Sequence, residues 1–175
     1  MIYISGNFYG WNMNNDASSS VHTPVSGELY LSPFELHSTV RFDRLRCSVD
    51  TTEAGPLVTM AVYNSLPSGM PAGLMFQDPG TNTTTSAGTK STIIDMELFT
   101  GLYWLGVATT STTATLDAYV SNYNVLGSAS LTGAGTTHLM YDPTWVSGAA
   151  LPADLAVLSS TDATGQFPIV SLRVE

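Results

Sequence analysis

The sequence predicts an all-β protein: an antiparallel β-sandwich, jelly-roll-like, of about eight strands, with an extended N-terminal arm. Three observations carry this. Alternating or β-branched runs recur at roughly ten-residue intervals. Clusters of Gly, Pro, Asn, Ser and Thr separate them. No stretch carries the 3.6-residue apolar period of an amphipathic helix. A chain of 175 residues is long enough to bury a self-sufficient core without a disulfide or metal. It divides into an arm over residues 1–26 and a sandwich domain over residues 27–175.

The arm opens with a short strand candidate at Ile2, Tyr3 and Ile4, then runs into an Asn- and Ser-rich stretch over residues 12–20 that supports no buried face. Tyr3, Phe8, Tyr9 and Trp11 are too many aromatics for a disordered tail, so the segment reads as an arm docked on its own domain or on a neighbouring subunit. Residues 28–31 form a short run closed by Ser32 and Pro33, and residues 34–40 continue extended. Over residues 44–50, Leu45, Cys47 and Val49 alternate with Arg44, Arg46, Ser48 and Asp50, the mark of a half-buried strand. After a turn over residues 51–56, Val58, Met60 and Val62 form the inward set of the next strand. Pro67, Gly69, Pro71, Gly73, Pro79 and Gly80 exclude a helix over residues 64–80 but leave room for a short strand at Leu74, Met75 and Phe76.

A threonine-rich loop follows over residues 81–89; its Asn82-Thr83-Thr84 sequon has no meaning without a secretory signal. Residues 92–98 place Ile94, Met96 and Leu98 inward and Ile93, Asp95 and Glu97 outward. A tight connection at Phe99, Thr100 and Gly101 leads into residues 102–108, apolar on both faces and so a central strand covered on each side. A polar loop over residues 109–115 and a strand over residues 116–120 come next. Residues 121–148 form a long excursion, broken by glycines and anchored by Tyr123, Tyr141 and Trp145. Residues 151–154 suit a helical turn, residues 155–158 read equally well as strand, and residues 167–174 form a β-branched final strand.

Fourteen acidic against five basic residues give a net charge of −9. That balance leaves no clustered basic footprint for nucleic acid and discourages contact with anionic membranes. Arg41, Arg44 and Arg46 lie close together, but Asp43 sits among them, so they read as a strand face of alternating charge. Charged residues make up only 11% of the chain, well below the usual quarter; the polar but uncharged remainder is typical of extracellular and virion β-proteins. Cys47 is the single cysteine, which excludes an internal disulfide, and its place between Leu45 and Val49 suggests a buried, inert thiol. No apolar run approaches the ~20 residues that span a bilayer. The N-terminal residues lack the basic and apolar regions of a signal peptide, so the chain is expected to be made in a cytoplasm and to leave by no secretory route.

Catalytic and metal motifs are absent. His22, His37 and His138 are scattered, with no HxH or HExxH spacing for zinc. There is no G-x-S-x-G elbow and no phosphate-cradling loop. Asp95 and Glu97 lie on one outward strand face, whereas a glycosidase pair must face each other across a cleft. No cofactor, no metal and no enzyme activity are therefore expected. Binding through aromatic side chains has better support: Tyr9, Trp11, Tyr123, Tyr141 and Trp145 lie outside the regular strands, with Asp142 nearby as an acceptor. Such rings offer flat platforms to sugars or protein partners, or else plug the ends of the sandwich.

The stretches FDRLRCSVDTTEAG, AVYNSLPSGMPAGLMFQDPG and ELFTGLYWLGV, with Leu98, Gly101, Tyr103, Trp104 and Leu105 in a Leu-x-x-Gly-x-Tyr-Trp-Leu pattern, carry a resemblance over residues 28–110. They are similar to a β-sandwich module of tailed-bacteriophage virion structural proteins, and residues 155–174 fit the way such modules end. The resemblance implies a virion component, assembled in the host cytoplasm: a capsid decoration or cement protein, a head fibre or a tail appendage. It implies a homo-oligomer, commonly a trimer, partnered with the major capsid protein or another virion protein. A host surface glycan is the alternative ligand. No catalytic residue carries over. The short N-terminal arm in place of a long fibre shaft favours a small accessory protein on the capsid.

Overall fold

The computed structural model describes residues 3–10, 20–121, 138–141, 145–146, 148–155, 161–163 and 165–175. Their strands are β1 (Phe8–Gly10), β2 (Ser20–His22), β3 (Leu29–Leu36), β4 (Val40–Val49), β5 (Val58–Ser65), β6 (Pro71–Gln77), β7 (Gly88–Leu98), β8 (Gly101–Thr109), β9 (Leu116–Ser121), β10 (His138–Tyr141), β11 (Thr161–Ala163), β12 (Gly165–Pro168) and β13 (Ser171–Val174). No helix occurs among the described residues. All pairings are antiparallel and form two sheets packed as a β-sandwich. The first sheet has the order β1-β13-β4-β9-β12, with β2 added to β9 and β7 to β4; the second runs β11-β10-β3-β8-β5-β6. The count exceeds the expected eight because β1, β2, β10, β11, β12 and β13 are only three or four residues each, too short for a periodic signal.

The sandwich is organised by a folded ribbon. β3 pairs with β8 in one sheet and β4 with β7 in the other, so the β3–β4 and β7–β8 connections pass between the sheets side by side. At the second of these corners the Tyr103 hydroxyl accepts the Phe99 N–H (3.1 Å) and donates to the Phe99 carbonyl (3.0 Å). Between the sheets lie Phe34, Phe42, Leu45, Val58, Met60, Val62, Leu98, Leu105, Val107, Phe167 and Leu172, all buried. Edge-on ring contacts join Phe34 to Phe42 and Tyr30 to Phe167, the geometry aromatic quadrupoles favour.

β8 is buried on both faces, as its sequence demands. Tyr103, Leu105 and Val107 enter the inter-sheet core, while Trp104 and Ala108 enter a second apolar cluster on the outer face of the same sheet. Trp145, Leu151 and Leu155 complete that cluster, covering Leu29, Leu31, Ala61 and Tyr63 as well. Hydrogen bonds fasten the cover. Trp145 N–H donates to the Gly27 carbonyl (3.1 Å), its indole Nε1 to the Ala149 carbonyl (2.8 Å), and Gln77 bonds both the Ala149 carbonyl and the Leu151 N–H. The Leu74 N–H donates to the Ala153 carbonyl and the Leu155 N–H to the Ala72 carbonyl, so this segment also closes the free edge of β6. Gly106 lets it all pack closely: a Cβ there would lie 3.0 Å from Leu31 and 3.2 Å from Leu29.

Several expectations are revised. β3 runs straight through Ser32 and Pro33. β10 pairs only with residues 29–31 of β3, so Pro33 has one described neighbour strand, the situation in which a missing N–H is tolerated. Tyr3 and Ile4 are not in a strand, and Ile2 lies outside the described residues: a turn at Ser5 and Gly6 delays the first strand to Phe8–Gly10, with the Gly6 N–H on the Val174 carbonyl. β1 pairs with β13 and β2 with β9, so two short pieces of residues 1–26, Phe8–Gly10 and Ser20–His22, are strands of the larger sheet. The excursion over residues 121–148 contains β10, and the final run divides into β12 on β9 and β13 on β4. The division falls where Pro168 and Ile169 end one ladder and the chain moves to the neighbouring strand. The polar stretch over residues 12–19 and the residues at 156–158 lie outside the described residues.

Two of the polar loops are joined through one carboxylate. Glu53 Oε2 accepts hydrogen bonds from Ser111 Oγ (2.5 Å), Thr112 N (2.9 Å), Thr113 N (2.8 Å) and Thr113 Oγ1 (2.9 Å). Those donors, Ser111 first, pull the Glu53 pKa down from 4.5 to about 2. A depressed carboxylate pKa stabilises the fold above the unfolded value and loses that contribution as pH falls through the folded one. Urea unfolding of wild type and Glu53→Gln should therefore differ most at pH 5, and the difference should shrink as pH approaches 2. A constant difference across that window would show that the ionised form is not what clamps the loops.

Candidate binding surface on the open sheet

With the second sheet sealed by residues 145–155, the outer face of the first is the one that no described segment covers. Along β4, Phe42, Leu45, Cys47 and Val49 point into the core and Arg41, Arg44, Arg46 and Ser48 outward. The alternation slips at Asp43, where the register shifts against both β7 and β13. Such a slip re-aims the side chain it displaces. The Asp43 carboxylate takes both guanidinium donors of Arg173 in a bidentate pair, Nε at 2.8 Å and Nη2 closer still. Its hydrogen bonds from Arg173 hold Asp43 below the ordinary carboxylate range.

Next to this pair lies Phe8, opposite Arg173 in the β1–β13 ladder. The Arg46 guanidinium sits 3.6 Å from the ring centroid and that of Arg173 at 5.9 Å. Arg46 Nε also donates to Ser171 Oγ at 3.1 Å. Half-buried, Arg46 has its pKa drawn below the usual arginine value by desolvation, and the ring face supplies an attraction that water no longer does. Arg41 is spent on Asp95 (2.6 Å) and Glu175 (2.8 Å). Arg44 makes no hydrogen bond or ion pair among the described residues, and its Nε is buried without a partner. All five basic residues, Arg41, Arg44, Arg46, Lys90 and Arg173, thus lie on β4, β7 and β13, which are neighbours. Among the described residues neither Arg44 nor Arg46 forms an ion pair, although Arg44 acts through space on Asp43 and Arg46 shares a cavity with Asp117.

Beside Arg46 a cavity of about 180 Å³ is lined by Ser48, Thr89, Asp117, Ile169 and Ser171. Its lining pairs donors with one carboxylate acceptor around a small apolar wall. Cys47 also borders it but is buried, with desolvation pushing the thiol up to about 12, which fits the inert thiol read from the sequence. A buried carboxylate the sequence reading missed, Asp78, lies under β5: Thr59 Oγ1 (3.1 Å), Gly80 N (2.6 Å), Asn82 Nδ2 (2.8 Å) and Thr92 Oγ1 (3.4 Å) all point at it. The Asp78-Pro79-Gly80 turn was its only signal. Fully satisfied and without a nucleophile, it holds a loop. No group of three or more His, Cys, Asp or Glu able to hold a metal occurs among the described residues.

Of the aromatic residues singled out for binding, two are buried. The Tyr9 hydroxyl accepts the Ile4 N–H (2.8 Å), and its ring packs edge-on against Tyr3 in the main core. Trp145 is 4% exposed within the cover of the second sheet. Neither presents a face to a ligand; both plug the sandwich, because each has its polar atom satisfied by backbone and its ring in an apolar cluster. Tyr141 pairs with Leu29 through β10. Trp11, Tyr123 and Asp142 lie outside the described residues. What the sequence reading passed over is Phe8 and its two arginines, which only the topology brings together.

Phe8 tests whether the arginines are held by the ring or merely lie near it. Phe8→Leu keeps most of the apolar area and removes the π face; Phe8→Ala removes both. Denaturant unfolding is expected to show losses of about 1 and about 2 kcal/mol respectively. A Leu variant as stable as wild type would mean that Arg46 gains nothing from the ring. A scan against protein-family models and a search of curated proteins both find no match for this chain.

Proposed function

We propose that this chain is a non-enzymatic structural protein of a phage virion, decorating or cementing the capsid surface through the open face of its larger sheet. One observation carries the reading: residues 145–155 seal one sheet, no described segment covers the outer face of the other, and Arg44 and Arg46 form no ion pair there among the described residues, in a molecule of net charge −9. A partner surface bearing carboxylates suits that face, and electrostatic complementarity of this kind sets register and association rate. The resemblance of residues 28–110 to phage virion modules supplies the setting: the major capsid protein or another virion protein as partner, and assembly in the host cytoplasm.

Deleting residues 1–26 would not test this, because it removes β1 and β2 from the sheet. Charge reversal of Arg44 and Arg46 leaves the strands in place. In co-sedimentation with capsids lacking the protein, R44E/R46E is expected to lower apparent affinity by at least about tenfold with an unchanged circular dichroism spectrum. Wild-type and variant protein loading capsids equally would sink the proposal.

A host-glycan module is the second reading, and the cavity beside Arg46 favours it, since a carboxylate with flanking hydroxyls and an arginine is suited to neighbouring sugar hydroxyls. On a glycan array, Asp117→Asn should abolish any signal that depends on this cavity, and Trp11→Ala any that depends on the arm. Trp145→Ala would report stability instead. An array with no wild-type signal counts against the glycan reading and leaves the capsid reading standing.

A further inference from the structure

β7 is the longest strand, at eleven residues, and it has β4 on one side and no strand on the other among the described residues. Long bare edges are normally blocked by proline, by a cover or by a central charge, because they template pairing with another chain. β6 is covered in that way by residues 151–155. β7 has no proline; its one cation, Lys90, lies near its start with Nζ drawn back to Ser86 Oγ at 2.8 Å, and its carboxylates are Glu97 and Asp95, the latter held by Arg41 of β4. Its outward face is open: Ile93 is 73% exposed, and Phe99 just beyond the strand is 62% exposed. Tyr103 grips the Phe99 backbone on both sides, so the position of that residue is fixed by the corner.

We infer that β7 is an interface with a second copy of this chain, the two strands pairing antiparallel about a two-fold axis at Ile93. In that register Ile93 meets its symmetry mate, Ser91 faces Asp95 of the second copy, and Thr89 faces Glu97. Each carboxylate meets a hydroxyl donor, and no like charges oppose. Phe99 falls against Ala87, next to Gly88, where nothing lies within 4 Å of a notional Cβ, so the largest exposed ring meets the least bulky part of the strand. Centring the pair one residue later, on Ile94, sets Ile93 against Asp95, and centring it on Asp95 sets carboxylate on carboxylate. Parallel in-register pairing opposes Asp95 to Asp95 and Glu97 to Glu97. Like charges directly opposite destabilise a ladder, while apolar β-branched pairs stabilise it. The interface is isologous, so it closes at two copies instead of growing into a fibre. It differs from the three-fold assembly that the phage resemblance implies, and it stands independently of the capsid reading.

Sedimentation of the full chain from about 1 to 100 μM is expected to show a monomer–dimer equilibrium, and Ile93→Lys, at a position already exposed, should sediment as a folded monomer throughout. Cysteine placement checks the register. The native thiol of Cys47 is buried, and directly opposed residues of an antiparallel pair lie within disulfide reach. Under mild oxidation Ile93→Cys should yield a covalent dimer on a non-reducing gel, whereas Asp95→Cys, whose opposite residue is Ser91, should remain mostly uncrosslinked. A wild-type monomer across the whole range, a trimer, a dimer that survives Ile93→Lys, or equal crosslinking at positions 93 and 95 would each overturn the assignment.

Discussion

The need to bury both faces of β8 is the constraint from which most of this structure follows. A strand that is apolar on one face can sit in a two-layer sandwich with its other face in water. Residues 101–109 cannot, because Trp104 and Ala108 face away from the inter-sheet core that takes Tyr103, Leu105 and Val107. A third layer must therefore cover the second sheet, and residues 145–155 form it. Once Trp145 is committed there, with its Nε1 on the Ala149 carbonyl, it is no longer available as a ligand platform. Gly106 is part of the same solution, since any side chain there would press on Leu29 and Leu31.

Sealing one sheet assigns the charges to the other. With so few charged residues in the chain, their placement on β4, β7 and β13 is a large fraction of the electrostatic character of the molecule. The ladder slip at Asp43 decides how they pair. Regular alternation back from Leu45 would put Asp43 on the inner face of the strand; the slip brings it to the outer face, where it pairs with Arg173 and still feels the charge of Arg44. Arg46 finds Phe8 and Ser171 instead. A backbone irregularity of one residue thus brings a carboxylate to the outer face for Arg173, while Arg44 and Arg46 form no ion pair among the described residues.

The sandwich class, the central place of residues 102–108 and the inward sets of β4, β5 and β7 were legible because each depends on local period. Val58, Met60 and Val62 announce themselves in this way, and so do Ile94, Met96 and Leu98. The burial of Ala61 and Tyr63 on the opposite face did not, since the segment that covers them lies some ninety residues further along the chain. Three-residue strands such as β1 and β2 carry no period at all and exist because a neighbour offers a ladder. The candidate surface was legible only in part. Arg41, Arg44 and Arg46 are visible as a cluster, but the sequence suggests that Asp43 neutralises them. Phe8 looked like one aromatic among several in an arm, and nothing local predicts that it lies between Arg46 and Arg173. Of the six residues chosen for binding, Tyr9 and Trp145 are rings that the fold places in its own apolar clusters.

The open face and the bare edge of the larger sheet point in perpendicular directions, and that geometry relates the two proposed contacts. A partner seated on the face over Arg44 and Arg46 leaves the outer edge of β7 free, because ladder hydrogen bonds run in the plane of the sheet. Pairing through β7 in turn extends the sheet without covering either face. Two copies joined at Ile93 would carry two such faces on one continuous, twisted sheet. Binding of the first face would then make binding of the second an intramolecular event wherever acceptor sites are spaced to match. Weak single contacts, of the size two arginines can supply, become sufficient for stable attachment to a surface with repeated sites. A capsid lattice is such a surface, and an isolated soluble partner is not.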